Sequence, residues 1–343
     1  MRNPSRALGA AAAALALVVG CRPAMAQNLT GAGATFPYPI YSKWFDLYHQ
    51  KTGVEINYQS IGSGGGIRQV LEGTVDFGAS DGPMNDEQLA QAKTPILHFP
   101  TVLGAVVATF NLPGIERLRL TPETLAGIFL GKITHWNDPA LTKENPDVAL
   151  PASAIVPMHR SDGSGTTYIF TDYLAKVSPE WQQRVGRGTS VNWPVGLGAK
   201  GNEGVAGLVK QTPNAIGYVE LIYAVQNKLP YGDVRNRSGK FVQATLESVT
   251  AAAAAAAERM PEDFRVSITD PAGADAYPIA SFTWLLVPAR IKDAEKGAAI
   301  KKFLAWMLAD GQQLAAPLNY APLPASVVAL EHKALATIQA GGS

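Results

Sequence analysis

The spacing of apolar residues changes from strand-like to helix-like across short glycine-rich segments. Apolar and polar side chains alternate over residues 54–58, which predicts a strand. Apolar residues within 67–71 follow helical spacing, so Ser63, between the two patterns, is predicted to lie at or just before a helix start. This order of strand, loop and helix favours parallel sheets, whose ligands bind beyond the carboxyl ends of the strands.

The same pattern recurs on either side of this segment. Pro37 suits a first helical turn, and an apolar face over residues 40–48 predicts a helix that ends at Gly53. Farther along, Ile155 and Val156 indicate a strand, and a helix is predicted to begin near Ser164, with a buried stripe of Ile169, Phe170, Tyr173 and Leu174. The chain therefore repeats one design at distant positions.

Three further segments complete the pattern. A strand over residues 75–79 delivers Asp81 to its carboxyl end, before a helical stretch at 85–92. The alanine run 251–257 predicts a surface helix, because alanine is the best helix former and carries no chemistry. Residues 301–314 read as an amphipathic helix whose buried side chains are Phe303, Leu304, Met307 and Leu308.

Three strand-to-helix loops combine glycine with hydroxyl side chains: LTGAGATFP, YQSIGSGGG and MHRSDGSGTT. A helix N-terminus offers free N–H groups and the positive end of the helix dipole, so it is a ready anion site. Glycine permits close approach of the backbone, and Ser or Thr adds hydroxyl donors. Three such loops in one chain predict a site that surrounds a small oxyanion.

The length and composition suit a two-lobed α/β protein. The 343 residues are 47% hydrophobic and 17% charged, which is typical of a globular chain. We expect the chain to cross between lobes near residues 100–105 and again near 275–280. One lobe is then predicted to comprise 27–103 plus 277–343, and the other 104–276.

The first 26 residues are predicted to be an export signal. A basic start with Arg2 and Arg6 precedes an apolar run over 7–20 and an A-x-A cleavage signal at 24–26. Cys21, the only cysteine, also ends a lipobox-like sequence, so lipid anchoring there is the weaker alternative. Either route places the protein outside the cytoplasmic membrane, in the periplasm.

The sequence of the mature chain disfavours nucleic-acid binding, metal binding and thiol chemistry. Removal of residues 1–26 takes away three arginines and no acid, so the net charge falls from +1 to about −2. A near-neutral or slightly acidic protein is a poor candidate for binding nucleic acid. The five histidines are scattered without metal-ligand spacing, and no cysteine remains for a disulfide, a thiolate site or a nucleophile.

Two motifs invite enzymatic or nucleotide readings that their surroundings disfavour. Residues 196–201 match G-x-G-x-x-G but follow a segment that makes a poor central strand, so we interpret them as a flexible glycine-rich loop. Ser63 and Ser164 lie among glycines, yet neither fits G-x-S-x-G. His159 is the only histidine near either serine in sequence, and it is expected inside a strand.

Two charged positions point to a particular oxyanion. Arg160 could meet the anion while Asp162 holds its guanidinium, although a simple strand-end ion pair is the alternative. Asp81 would repel an anion unless the ligand carries a proton to donate. Monohydrogen phosphate has such a hydroxyl and fully ionised sulfate has none; otherwise Asp81 could be a helix N-cap.

These residues carry a resemblance to a known family, the extracytoplasmic phosphate-binding proteins of high-affinity phosphate ABC transporters. Matching stretches run in order along the mature chain, among them LTGAGATFPYPIYSKW, NYQSIGSGGGIRQV, TVDFGASDGPM, HRSDGSGTTYIFTDYLAKV, NWPVGLGAKGNEGVAGLV and YPIASFTWLLV. The resemblance implies a periplasmic-binding-protein fold, with two α/β lobes of mixed, mostly parallel sheets flanked by helices. It implies one phosphate in the cleft between the lobes, no catalysis and no cofactor.

The resemblance also implies which residues contact phosphate: Thr35, Phe36 through its N–H, Ser63, Asp81, Arg160, Ser164, Gly165 and Thr166. Asp162 would brace Arg160. Each of these positions carries the family residue type, and small differences flank them at Gly64, Gly82 and Thr167. The alanine-rich stretch near 251–257 and the C-terminal tail fit the family pattern loosely. The implied partners are the permease and ATPase of the transporter, and the implied state is a monomer.

Three alternatives stay open from the sequence. A secreted phosphoester hydrolase would need a nucleophile or a metal cluster. A surface adhesion or phosphate-scavenging protein that serves no transporter is harder to exclude. A binding protein for another tetrahedral anion, such as arsenate or a phosphonate, is the nearest alternative because arsenate shares the protonation pattern of phosphate.

Overall fold

The computed structural model describes residues 28–341. The predicted leader 1–26 and Cys21 lie outside these residues. The strands are β1 Asn28–Gly33, β2 Glu55–Ser60, β3 Phe77–Ser80, β4 Ile96–Phe110, β5 Arg119–Leu120, β6 Val156–Arg160, β7 Leu197–Ala199, β8 Ala215–Glu220, β9 Asp233–Arg235, β10 Phe241–Val242, β11 Ala280–Pro288, β12 Arg290–Ile291 and β13 Gln339–Ala340.

Helices alternate with these strands and flank the main sheet. They are α1 Tyr38–Thr52, α2 Ser63–Glu72, α3 Asp86–Ala90, α4 Pro122–Phe129, α5 Pro139–Glu144, α6 Gly165–Val177, α7 Pro179–Arg184, α8 Gly201–Gln211, α9 Leu221–Asn227, α10 Leu246–Ala257, α11 Ala294–Leu308 and α12 Ala325–Ala336. Short 3₁₀ helices occupy Asp310–Leu314 and Ala316–Leu318. None of the helices in residues 28–341 has the length and apolar character needed to cross a membrane.

A mixed, eight-stranded sheet runs through the molecule in the order β2-β1-β3-β11-β4-β8-β6-β7. β1 pairs in parallel with β2 and β3, and β6 pairs in parallel with β7 and β8. The long strand β4 joins these groups, because it pairs antiparallel with β11 over residues 96–105 and with β8 over 106–110. We call β2, β1, β3 and β11 the first half of the sheet, and β8, β6 and β7 the second half.

The core is built on the strands that join the halves. β4 is buried along nearly its whole length, and β11 is buried up to its last residue. The largely apolar sequences of these two strands are typical of strands covered on both faces. On the first half, the apolar face of α1 packs its aromatic rings against neighbouring strands, with Phe45 5.8 Å from Tyr58 and 6.2 Å from Phe77 between ring centroids.

The local patterns predicted most element starts and stops correctly. α2 begins at Ser63, α1 is terminated by Gly53 as its C-cap at φ 76°, and α6 begins directly after Ser164. The Ser164 hydroxyl accepts from the Thr167 N–H at 3.0 Å, which is the usual bond of an N-cap serine. Asp81 is not a helix cap, because Asn85 caps the next helix through a capping box.

Three sequence interpretations need correction. Residues 196–201 are not a flexible loop, because β7 pairs in parallel with β6 and α8 begins at Gly201. Only residues 301–308 of the predicted helix 301–314 lie in α11, which begins at Ala294 behind the Asp293 cap and ends at Leu308, and a separate 3₁₀ helix occupies Asp310–Leu314. The alanine run does form a helix, but it is not only a surface element, since Ala252 and Ala253 are buried.

Candidate functional site

The loops that follow β2 and β6 touch one another across the two halves of the sheet. The Gly64 N–H donates to the Gly163 carbonyl at 2.9 Å. Gly62, at φ 88°, faces the same loop, and a Cβ built on it would lie 2.5 Å from both Asp162 Oδ2 and the Gly163 oxygen. The closeness explains the glycines, since any side chain here would push the two halves apart.

Three tyrosines hold the loop after β1 by its consecutive carbonyls. Tyr58 donates to the Ala34 oxygen at 2.8 Å, and Tyr223 donates to the Thr35 oxygen at 2.5 Å. Tyr320 donates to the Phe36 oxygen at 2.6 Å. A trans peptide points its C=O and N–H in opposite directions, so the bond from Tyr223 to the Thr35 carbonyl turns the Phe36 N–H away from Tyr223.

Asp81 is a buried carboxylate surrounded by hydroxyl groups. It is 1% exposed, and its Oδ1 accepts from Thr283 Oγ1 at 2.8 Å. Its N–H donates to Ser63 Oγ at 3.2 Å, while Ser63 Oγ lies 3.5 Å from Oδ2. Burial raises the pKa of Asp81 to about 7, against the opposing effects of Thr283, Arg160 and Ser63.

Arg160 and Asp162 form a bidentate ion pair at the end of β6. Arg160 Nε lies 2.7 Å from Asp162 Oδ1, and Arg160 Nη2 lies 2.6 Å from Asp162 Oδ2. The Gly201 N–H, at the start of α8, also donates to Oδ1 at 3.1 Å. Burial alone would raise the pKa of Asp162, but these hydrogen bonds and the charge of Arg160 lower it below its usual value.

The start of α6 meets the carboxylate of Asp81. A Cβ built on Gly165 would lie 2.5 Å from Asp81 Oδ2, so only glycine fits between them. Thr166 follows, fully buried, and its Oγ1 accepts from Arg160 Nη1 at 3.4 Å. The helix thus points its free N–H groups at the space that Asp81 and Arg160 border.

The structure therefore brings the residues predicted from sequence into one connected cluster. Ser63 contacts Asp81, Asp81 faces Gly165, and Thr166 contacts Arg160. Contact with Asn202 adds Thr35 and the adjoining Phe36 to the cluster. The polar side chains of the set are buried, with Thr35, Ser63, Arg160, Ser164 and Thr166 each 3% exposed or less.

Sequence reasoning missed two polar residues of this cluster. Asn202, in the first turn of α8, donates through Nδ2 to Thr35 Oγ1 at 2.8 Å and to Thr166 Oγ1 at 3.0 Å. Thr283 lies on β11, where the antiparallel pairing of Trp284 with Ser80 puts it beside Asp81. The one signal in the sequence for Asn202 was the neighbouring Gly201, the last glycine of the G-x-G-x-x-G match at 196–201.

His159, the histidine expected in a strand, packs against an aromatic side chain. His159 lies in β6 and stacks on Trp193, with ring centroids 4.9 Å apart. Within residues 28–341, no three His, Cys, Asp or Glu side chains come together as a potential metal site. The chemistry of the cluster is thus that of hydrogen-bond donors, one guanidinium and one carboxylate without a cationic partner of its own.

Comparison with known proteins defines the class and then the family. A model of the PBP superfamily domain matches residues 22–311. The phosphate-binding protein PstS of Pasteurella multocida is 48% identical over 305 residues, which are 88% of each chain. PstS of Haemophilus influenzae is 47% identical over 315 residues, covering 91% of this chain and 94% of that protein. The chain therefore belongs to the PstS family of phosphate-binding proteins, within the PBP superfamily.

The fold agrees with this assignment. A phosphate-binding protein from Stenotrophomonas maltophilia superposes with a TM-score of 0.66 at 22% identity, covering 88% of this chain and 92% of that chain. The curled mixed sheet with helices on its faces is accordingly the PBP-like α/β fold.

Proposed function

We propose that this protein binds one inorganic phosphate between the two halves of the sheet. The observation that carries the proposal is the convergence of buried hydroxyls, a braced arginine and a helix N-terminus on Asp81, a carboxylate without a cationic partner of its own. Family membership supports the same ligand. The proposed contacts are Thr35, Phe36 through its N–H, Ser63, Asp81, Arg160, Ser164, Gly165 and Thr166, with Asp162 bracing Arg160.

Asp81 gives the proposed site its selectivity. An ionised carboxylate beside an anion is repulsive unless a proton lies between them. Monohydrogen phosphate brings that proton, whereas sulfate faces the carboxylate with acceptors alone. A buried charged acceptor left unsatisfied costs several kcal/mol, which corresponds to about 10³-fold in affinity.

The two halves of the sheet are the proposed lobes of a binding protein that closes around its ligand. The predicted lobes, 27–103 plus 277–343 and 104–276, divide near Ala105 and Val106, where β4 exchanges β11 for β8 as its partner. The Gly64 to Gly163 contact belongs to the closed arrangement. Hinge motion at the joining strands would admit and release phosphate.

The proposed role of the closed protein is to deliver phosphate to a membrane permease, whose ATPase drives uptake. We place this role in the periplasm, after removal of residues 1–26, with the protein acting as a monomer and without catalysis. The export motif and the PstS relatives support this placement.

The first experiment is titration calorimetry on the mature chain, after unfolding and refolding have removed bound ligand. Tight one-to-one binding of phosphate and no sulfate heat at about pH 8 would support the proposal. Failure to bind phosphate would contradict it, and hydrolysis of a chromogenic phosphomonoester would point to an enzyme instead. Deletion of the gene should also reduce uptake of labelled phosphate at low concentration; unchanged uptake would contradict the transport role.

A further inference from the structure

Asn202 connects the hydroxyls of Thr35 and Thr166 across the proposed cleft. We propose that Asn202 is a positioning residue that leaves both hydroxyls only as donors toward the bound anion. The inference rests on the proposed phosphate site, because it concerns how two of its contact groups are oriented.

The Thr35 hydroxyl has its acceptor positions filled. Asn202 donates to Thr35 Oγ1 twice, from Nδ2 at 2.8 Å and from its backbone N–H at 3.3 Å. A hydroxyl accepts about two hydrogen bonds and donates one. With both acceptor positions occupied, the proton of Thr35 is the remaining group with which it can bind a ligand.

The acceptor positions of the Thr166 hydroxyl are also occupied, here by a different pair of donors. Asn202 Nδ2 lies 3.0 Å from Thr166 Oγ1, and Arg160 Nη1 lies 3.4 Å from it. The two hydrogens of one amide therefore serve two hydroxyls, one in each half of the molecule. An oxyanion offers only acceptors when it is fully ionised, so donor-only hydroxyls suit it.

The orientation of the amide is fixed by a third contact. Asn202 Oδ1 accepts from the Glu220 N–H at 2.9 Å, and a backbone N–H can only donate. Rotation of the amide by 180° would set two donors against each other there and would remove the donor from both hydroxyls. Asn202 is also fully buried, so water does not compete for these bonds.

The contact with Thr35 spans the two halves of the sheet. Thr35 follows β1 in the first half, whereas Asn202 and Thr166 begin the helices that follow β7 and β6 in the second. Asn202 can therefore orient the Thr35 hydroxyl only when the halves are together. Closure of the two halves and orientation of the Thr35 hydroxyl as a donor are therefore linked.

The test is a double-mutant cycle read by calorimetric titration with inorganic phosphate. Thr35→Val should weaken binding about tenfold because it removes one oriented donor, and Asn202→Ala should weaken it at least as much because it releases the hydroxyls of both Thr35 and Thr166. The double variant should lose about tenfold less than the product of the single losses. Losses that simply multiply would overturn the inference, since Asn202 would then act independently of Thr35.

A buried asparagine elsewhere provides the matched control. Asn145 is 4% exposed, and its Nδ2 donates to the Arg119 and Leu141 carbonyls at 3.0 and 2.9 Å. Asn145→Ala should lower the melting temperature and leave the phosphate affinity within about twofold of the parent. An equal loss of affinity in this variant would overturn the inference, because general loosening would then explain both results.

A second variant covers the case in which Asn202→Ala does not fold. Asn202→Asp keeps the size of the side chain and the oxygen that accepts from Glu220, but replaces the donating amide. Phosphate binding should weaken more than tenfold, and the loss should shrink in the Thr35→Val background; an undiminished loss there would overturn the inference. Absence of phosphate binding by the parent would instead overturn the proposed function.

Discussion

Two aspartates border the proposed phosphate cleft, and their surroundings give them opposite properties. Asp162 holds both arms of Arg160 and receives the Gly201 N–H, so its pKa is lowered even though burial opposes ionisation. Among the described residues, the hydrogen-bond partners of the Asp81 carboxylate are hydroxyl groups, and burial raises its pKa to about 7. One residue type thus supplies a permanent charge that positions a cation and a carboxylate able to share a proton with the ligand.

The difference lies in how each carboxylate is solvated by the protein. A bidentate guanidinium offsets the desolvation of Asp162, as charge-assisted hydrogen bonds do in buried ion pairs. Thr283 and Ser63 give Asp81 hydrogen bonds without a full opposing charge. Burial raises the pKa of Asp81 more than Arg160, which is paired with Asp162, lowers it.

The largest loss of binding is expected when the cation is removed. Arg160→Met should weaken phosphate binding about 10³-fold, since it deletes charge-assisted hydrogen bonds and exposes the ligand to the unpaired Asp162. Arg160→Met combined with Asp162→Asn should recover part of the loss, because the unpaired carboxylate is gone. Calorimetric titration measures both.

The control for this prediction is Arg184→Met. Arg184 is half exposed and pairs with Glu180 outside the cleft, so its removal makes the same change in charge away from the ligand. The phosphate affinity of Arg184→Met should stay near that of the parent. A parent-like affinity for Arg160→Met would show that Arg160 does not contact the anion.

A smaller effect is expected from pH. The pKa of Asp81 is raised, so the protonated fraction grows as the pH falls through about 7. A protonated Asp81 can donate to sulfate, and the ratio of phosphate to sulfate affinity should fall about tenfold between about pH 8 and pH 6. Competition titrations at the two pH values measure it; a constant ratio would mean that Asp81 keeps one protonation state.

An effect of similar, modest size is expected at Asp162. Asp162→Asn should weaken phosphate binding about tenfold, because the amide still accepts one bond from Arg160 but no longer fixes both of its arms. Selectivity over sulfate should survive, since Asp81 is untouched. Titration of this variant with phosphate and with sulfate measures both the affinity and the selectivity. A loss of selectivity would mean that Asp162, like Asp81, contributes to discrimination against sulfate.

The parts of the site that lie within one loop could be predicted from sequence, and those set by distant pairing could not. Ser63 and Ser164 each stand at a strand-to-helix transition that glycine and apolar spacing reveal locally. Thr283 reaches Asp81 only through the antiparallel register of β11 with β3, across 202 positions of sequence. Asn202 could not be predicted from sequence because β7, the strand before its helix, is short and pairs with β6 at the edge of the sheet.

The central claim is that Asp81 selects a ligand carrying a proton, and one comparison tests it most directly. Parent and Asp81→Asn are titrated with phosphate and with sulfate at about pH 8, beside Asp86→Asn, an exposed carboxylate that pairs with Arg265. We expect a strong preference for phosphate in the parent and in Asp86→Asn. In Asp81→Asn we expect this preference to fall about tenfold or more, with measurable sulfate binding. An Asp81→Asn protein that discriminates as well as the parent would show that Asp81 does not select the protonated ligand.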